Sequence, residues 1–168
     1  MADAEGFDPE EILRVLEVHG VAYVLIGGLA ATLHGSPHVT TDVDVTPQTG
    51  RDNLLRLADA LDDLDARIRV EGEPDGVPFD RSAEMLERVG LLNLVTRAGA
   101  LDLCMTPAGT SGYDDLRRGA EEIVIRGLHV PLASLADVIR SKEAAGREKD
   151  RLTLPTLRAL QERLEEGR

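Results

Sequence analysis

Two aspartates stand one residue apart inside an apolar run of the sequence, "TTDVDV". Asp42 and Asp44 alternate with Val43 and Val45, and side chains along a β-strand point alternately to its two faces. In a strand the valines would bury one face, and both carboxylates would lie side by side on the other. Like charges repel unless a cation lies between them, and Mg²⁺ prefers carboxylate oxygens as ligands. Because the pattern is short and common, it also fits a pair on an exposed strand face or at a turn.

Two further features of the sequence would lie near such a pair. Gly27 and Gly28 follow an apolar run and precede a short helix, and glycines at a helix start let backbone N–H groups approach phosphate oxygens. A tight strand-to-helix turn would need the same glycines. Asp102 stands within another apolar run, "ALDLCM", whose leucines would share the opposite face. Three carboxylates with a glycine turn favour a two-metal site for phosphoryl transfer.

The elements that must position these residues alternate irregularly between helix and strand. Helices are predicted at "DPEEILRVLEVHG", "LAATLHG", "RDNLLRLADALDDL", "SLADVIRSKEAAG" and "LPTLRALQERLEEG". Strands are predicted at "VAYVLIGG", "TTDVDV" and "ARIRV", and hairpins at "GLLNLVTRAGALDLCMT" and "EEIVIRGLHVPL". The stretch "EGEPDGVPFDRS" is rich in Pro, Gly and acidic residues and is predicted to be a loop. This order predicts one α/β domain over residues 1–168, with a mixed sheet flanked by helices.

Composition and charge narrow the function classes. The net charge of −12 arises in the first half, since residues 1–90 hold 19 acidic and 7 basic residues and residues 91–168 hold 12 of each. A broad nucleic-acid-binding face is therefore not expected, because phosphate contacts need clustered basic residues. One cysteine, Cys104, excludes an intrachain disulfide and a cysteine zinc cluster. The acidic start and the lack of a long apolar run predict a cytoplasmic protein with no membrane attachment.

The helix predicted at "SLADVIRSKEAAG" carries a lysine among its apolar positions. Three apolar residues precede Lys142 at helical spacing, so Lys142 lies on the stripe that faces the core. Snorkelling of its amine to solvent explains this placement as well as a role in a site does. Arg147 and Asp150 follow, three residues apart, and they either pair at the start of a helix or extend the site.

The stretch "IGGLAATLHGSPHVTTDVDV" resembles the signature of the polymerase-beta-like nucleotidyltransferase superfamily: a glycine turn, a short helix, then two aspartates one residue apart. Asp102 matches the third carboxylate, which the superfamily carries on a later strand. The tail "SLADVIRSKEAAGREKDRLTLPTLRAL" resembles a small bacterial branch that includes abortive-infection nucleotidyltransferase toxins, with a lysine on a helix, a Gly-Arg-x-Lys-Asp turn and a final helix. The branch commonly has Arg where this chain has His38, and the glycine pair lacks the serine of a Gly-Ser turn.

The resemblance implies a minimal nucleotidyltransferase core that transfers a nucleoside monophosphate from a nucleoside triphosphate to an acceptor hydroxyl. The metal ligands that it implies, for Mg²⁺ or Mn²⁺, are Asp42, Asp44 and Asp102. The catalytic residues that it implies are these three aspartates and Lys142. The nucleotide-binding residues that it implies are Gly27, Gly28, Lys142 and Arg147.

The acceptor stays open between tRNA, a protein and a small molecule, and a toxin would have an antitoxin partner. An antibiotic-modifying nucleotidyltransferase with an aminoglycoside or lincosamide acceptor is the second hypothesis, since the acidic first half would suit a cationic drug. A catalytically inactive relative that binds a nucleotide or a partner protein is the third, and the intact set of three aspartates argues against it. A glycosyltransferase is disfavoured because the chain is short and lacks a Rossmann-type glycine fingerprint.

Overall fold

The computed structural model describes residues 6–168, and an eight-stranded mixed sheet runs through them. The strands are β1 (Tyr23–Ile26), β2 (Asp42–Pro47), β3 (Arg67–Val70), β4 (Glu73–Val77), β5 (Leu91–Thr96), β6 (Gly99–Cys104), β7 (Glu121–Ile125) and β8 (Leu128–Leu132). The helices are α1 (Pro9–Val18), α2 (Gly27–Leu33), α3 (Arg51–Asp63), α4 (Ala83–Leu86), α5 (Tyr113–Gly119), α6 (Leu135–Ala145) and α7 (Glu148–Glu166). The mixed sheet flanked by helices confirms the predicted fold class.

The spatial order of the strands is β4-β3-β5-β6-β2-β1-β8-β7. Parallel pairing joins β2 to β6 and β1 to β8, and the other neighbours are antiparallel. This order brings β2 and β6, which are about 60 residues apart along the chain, to the centre of the sheet. The two strands predicted to carry the aspartates are therefore direct neighbours.

One face of the central strands packs into the hydrophobic core. Val43 and Val45 of β2 are fully buried, and so are Leu101 and Leu103 of β6. Helices α1 and α3 contact each other and contribute their buried leucines to the same core. The alternation of side chains then leaves the aspartates of both strands on the opposite face of the sheet.

The prediction of a loop at "EGEPDGVPFDRS" is wrong in part, because β4 forms there and pairs with β3. A strand with Pro74 and Gly76 is tolerated at this position since β4 is the last strand of the sheet and needs hydrogen bonds on one side only. Gly76 also fits closely, because a Cβ there would collide with the backbone of Ile68. The short helix α4 follows, capped by Ser82.

The predicted start of the last helix at Leu154 is also wrong, since α7 begins at Glu148 and continues through Pro155. Gly146 ends α6 in the left-handed conformation with φ 60°, and Arg147 then caps α7. The Gly-Arg-x-Lys-Asp segment is therefore a helix cap and a first helical turn. Proline is common in the first turn of helices, which explains why Pro155 suggested a start.

Buried leucines line the inner side of α7 as predicted, with one exception. Leu154, Leu157 and Leu160 are buried, whereas Leu164 near the end of the helix is 47% exposed. No helix within residues 6–168 combines the length and the apolar character that crossing a membrane requires.

Candidate active site

Three carboxylates meet on the face of the sheet that is turned away from the core. The parallel register of β2 and β6 places Asp44 directly opposite Asp102, with Asp42 two residues along the same strand. One oxygen from each of the three side chains lies within 4.8 Å of the others. Carboxylate oxygens this close together are suited to bind divalent cations jointly. We call these three residues the aspartate cluster; the structure brings together all of its predicted members.

The positive charges of Arg69 and Lys149 balance those of the aspartate cluster only in part. Burial and, after it, the negative charges of Asp42 and Asp102 together raise the pKa of Asp44 to about 7. Burial likewise raises the pKa of Asp102, while the guanidinium of Arg69 acts in the opposite direction. A carboxyl group whose pKa is raised in this way lies in surroundings that favour an added positive charge. A divalent cation would provide that charge.

Gly27 lies directly against the aspartate cluster. It is the first residue of α2 and has φ +71°, a conformation that L-residues with a side chain rarely adopt. A Cβ at this position would lie 2.8 Å from Cγ of Asp44. The glycine therefore allows the start of α2 and the carboxylate to pack side by side, whether or not its N–H group also meets a phosphate.

Gly28 and Thr40 position the first aspartate. The Thr40 hydroxyl donates to a carboxylate oxygen of Asp42 at 3.1 Å. A Cβ at Gly28 would lie 3.0 Å from Oγ1 of Thr40, so the second glycine leaves room for the threonine. The absence of side chains at Gly27 and Gly28 therefore leaves room for Asp44 and for Thr40, respectively.

Lys142 and Arg147 share a buried carboxylate. Asp150 is fully buried; it accepts from Nε of Arg147 at 2.7 Å and from Nζ of Lys142 at 3.4 Å. Burial alone would raise the pKa of Asp150, but its hydrogen bonds to Arg147 and the positive charges of Arg147 and Lys142 lower it below its usual range. The Arg147–Asp150 pair at a helix start is therefore present. Its carboxylate also fixes the position of Lys142, whose side chain is only 15% exposed.

A cavity of about 610 Å³ opens beside the aspartate cluster, and this volume falls in the usual range for small-ligand sites. Residues of α2, α6 and α7 form much of its wall. Every residue predicted for the site from the sequence lines it, and so does His38, which is exposed. The predicted site residues along its wall are Gly27, Gly28, Asp42, Asp44, Asp102, Lys142 and Arg147.

The sequence matches no protein-family model, and no curated protein matches it. Solved structures do match. The lincosamide antibiotic adenylyltransferase LnuA, in its lincomycin-bound form, is 17% identical, with a TM-score of 0.60 over 93% of this chain and 99% of that one. A protein from Thermotoga maritima, TM1012, provisionally described as a nucleotidyltransferase, is 14% identical, with a TM-score of 0.55 over 94% and 90%. This chain shares the nucleotidyltransferase fold of these two structures.

The sequence pattern does not predict one contact of the aspartate cluster, the ion pair between Arg69 and Asp102. The guanidinium of Arg69 on β3 donates to the carboxylate of Asp102. Nothing in "ARIRV" distinguishes Arg69 from Arg67, because the contact depends on β3 and β6 lying on either side of β5. Thr40 had a weak local signal, since it stands two residues before Asp42.

Proposed function

We propose that the protein is a metal-dependent nucleotidyltransferase that moves a nucleoside monophosphate from a nucleoside triphosphate to an acceptor hydroxyl. The observation that carries the proposal is the aspartate cluster, whose three carboxylates come within 4.8 Å of each other. They do so beside a cavity of about 610 Å³. An exposed pair of aspartates would need neither a third carboxylate nor a cavity. The nucleotidyltransferase fold supports the same reaction class.

The three aspartates would divide the work between nucleotide and acceptor. Asp42 and Asp44 would hold the triphosphate through a shared Mg²⁺ or Mn²⁺, and Asp102 would bind a second cation and take the proton of the acceptor hydroxyl. A divalent cation bound there stabilises the charge that develops during the transfer. The acceptor oxygen forms a bond to the α-phosphorus, the bond between the α-phosphorus and the bridging oxygen breaks, and pyrophosphate leaves.

Lys142 and Arg147 would bind the phosphates of the nucleotide. Both line the cavity, and both are oriented by the buried carboxylate of Asp150. The hydrogen bond to Asp150 is the main reason that the pKa of Arg147 is raised, and the charges of Asp44 and Asp42 also raise it. Gly27 and Gly28 would add backbone N–H donors on the other side of the cavity.

Two observations bear on the acceptor. LnuA is a lincosamide antibiotic adenylyltransferase, and its fold matches this chain over 99% of its own length. A chain of this size can therefore accommodate a small-molecule acceptor, and an antibiotic is the second candidate. The resemblance of the tail to the toxin branch favours RNA or protein as the acceptor, with an antitoxin as partner.

The proposal is tested by incubating the purified protein with each α-labelled nucleoside triphosphate, Mg²⁺ and total cell extract. Label in a tRNA-sized, protein-sized or small product identifies the acceptor class. The Asp44→Asn variant serves as the control for contaminating activities. Label that appears with the wild type but not with the variant supports the proposal, whereas no transfer from any of the four nucleotides favours a catalytically inactive relative.

A further inference from the structure

A cross-strand row of polar side chains leads from β3 to the aspartate cluster. Asn93 of β5 lies opposite Asp102 of β6, and Asp102 lies opposite Asp44 of β2. Arg67 and Ile68 of β3 lie opposite Val95 and Leu94 of β5, and Arg69 is the next residue of β3, on the same face as Arg67. The side chain of Arg69 therefore crosses β5 on the site face and reaches Asp102 along this row. The contact depends on β3 and β6 lying on either side of β5.

Arg69 differs from the other cations near the cavity in what it contacts. Lys142 and Arg147 bind the carboxylate of Asp150, whereas Lys149, which also lines the cavity, acts on Asp44 through its charge and is in none of the ion pairs of residues 6–168. Among the ion pairs of residues 6–168, the one that includes a member of the aspartate cluster joins Arg69 to Asp102. The Asp102 side chain is 14% exposed and that of Arg69 is 38% exposed, so the arginine reaches the cluster from the open side of the sheet.

The contact with Arg69 and the role proposed for Asp102 make opposing demands on one carboxylate. A guanidinium that donates to a carboxylate oxygen uses lone pairs that a metal ion would also need. Its positive charge also repels a divalent cation at short range. Asp42 and Asp44 are under no such constraint from an ion pair, since none of those found within residues 6–168 includes either of them.

We propose that Arg69 is a positioning residue that competes with a divalent cation for the carboxylate of Asp102. It offsets part of the negative charge of the aspartate cluster and fixes the orientation of Asp102. Because it donates to Oδ1 of Asp102, a cation that binds this oxygen must displace it. The inference rests on the proposed function, because it takes Asp102 as a metal ligand. It adds that cation binding at Asp102 is weaker than at the Asp42–Asp44 pair and is controlled by a residue on β3.

The first test measures Mn²⁺ binding by calorimetry, without nucleotide and without turnover. In Arg69→Gln the weaker Mn²⁺ site should bind at least about tenfold more tightly than in the wild type, an ordinary size for coupling between two binding events. Arg67→Gln is the matched control, because Arg67 lies on the same strand and pairs with Asp65 at 3.9 Å. Arg69→Lys keeps the charge without the fork-shaped guanidinium and should give an intermediate affinity.

The second test separates competition from a purely structural ion pair. In thermal melts with chelator, Arg69→Gln should be less stable than the wild type, because the aspartate cluster loses the positive charge of the Arg69 guanidinium. With saturating Mn²⁺ the deficit should vanish. A structural ion pair would give the same deficit in both conditions. In an Asp102→Asn background, Arg69→Gln should no longer change the Mn²⁺ affinity, because the contested carboxylate is gone.

Unchanged Mn²⁺ affinity in Arg69→Gln, or a stability deficit that Mn²⁺ does not remove, would overturn this inference and leave the proposed function standing. Absence of Mn²⁺ binding to the wild type would instead remove the metal site itself, and both proposals with it. If Arg69→Gln does not fold, Arg69→Lys still decides the question. Its Mn²⁺ affinity must then exceed that of the wild type.

Discussion

Two groups of acidic residues in this protein have opposite electrostatic surroundings. In the aspartate cluster, burial and mutual repulsion raise the pKa of Asp44 to about 7. Glu11 lies between two arginines, accepting from Arg14 at 2.6 Å and from Arg97 at 2.9 Å, and these hydrogen bonds lower its pKa to about 2. Asp63 belongs to the same group, since it also accepts from Arg97. We call Glu11 and Asp63 the balanced pair.

The difference separates acidic residues whose charges are paired with arginines from acidic residues that lie close to one another. The balanced pair is ionised together with its arginines, so its charges favour the folded state at neutral pH. The aspartate cluster brings like charges together in a partly buried place, which disfavours the folded state unless a cation binds. Such an arrangement is typical of functional sites, where stability is lower than the rest of the chain would allow. The net charge of −12 does not reveal this division.

The largest expected effect comes from removing one charge of the aspartate cluster. Asp44→Asn should reduce nucleotidyl transfer by at least about a thousandfold, or about 4 kcal/mol in the activation free energy, because a metal ligand is lost. Asp42→Asn and Asp102→Asn should behave in the same way. The measurement is the initial rate of pyrophosphate release with Mg²⁺ and an acceptor of the class that the labelling experiment identifies.

Asp63→Asn is the matched control for these three variants, since it makes the same chemical change in the balanced pair. Its rate should stay close to that of the wild type. Full activity in Asp44→Asn, at the same Mg²⁺ concentration, would remove the assignment of the aspartate cluster as the metal site.

A smaller effect is expected when the backbone beside the aspartate cluster is changed. Gly27→Ala should lower transfer by about a hundredfold, because the new methyl group would displace Asp44 and a shift of about 1 Å can have that effect. Gly72→Ala is the control, since Gly72 has a similar φ of +84° but open space around it. Both variants should lose about 1–2 kcal/mol of stability from backbone strain. If Gly27→Ala and Gly72→Ala have equal activities at equal folded fractions, Gly27 is needed only for its backbone conformation and not for the position of Asp44.

Lys142→Ala should lower transfer by about tenfold and stability much less, because a charged hydrogen bond to phosphate is lost while alanine favours the helix. Arg147→Ala should have a similar but smaller effect. Arg158→Ala, which removes an ion pair with Glu143 on the exposed side of α7, should leave the rate unchanged. If Lys142→Ala has a much lower Tm but keeps the wild-type rate per folded molecule, Lys142 stabilises the fold through Asp150 and does not contact the nucleotide.

The raised pKa of Asp44 in the aspartate cluster should make the stability of the protein depend on pH. Asp44 has a folded pKa of about 7 against a usual value of 3.8, so between these values the folded state holds a proton that the unfolded state has lost. In the presence of a chelator, the free energy of unfolding of the protein should therefore fall as pH rises from about 4 to about 7. Denaturant unfolding at several pH values should show this slope in the wild type and a weaker one in Asp44→Asn. The same slope in both proteins would contradict the raised pKa.

Much of the site could be predicted from the sequence because it depends on local alternation. Asp42, Asp44 and Asp102 each stand within apolar strands, and the register of β2 and β6 places them on one face as expected. The Arg69–Asp102 contact could not be predicted, since it depends on the spatial order of strands that are distant in sequence. The early start of α7 was not predicted because Pro155, a residue typical of a first helical turn, lies inside α7, which begins at the cap formed by Arg147 and Asp150.

Cation-dependent stabilisation tests the account most directly, because it requires the aspartate cluster to be a metal site without requiring the acceptor. Thermal melts compare the wild type and Asp44→Asn, each with chelator and with Mg²⁺ plus a non-hydrolysable nucleoside triphosphate. With ligand at about 100 times its Kd, the wild type should gain about 2.7 kcal/mol, or at least about 5 °C in Tm. Asp44→Asn should gain little, and with chelator it should be as stable as the wild type or more so. Equal shifts in the two proteins, or a variant that melts well below the wild type in chelator, would show that these aspartates belong to the scaffold.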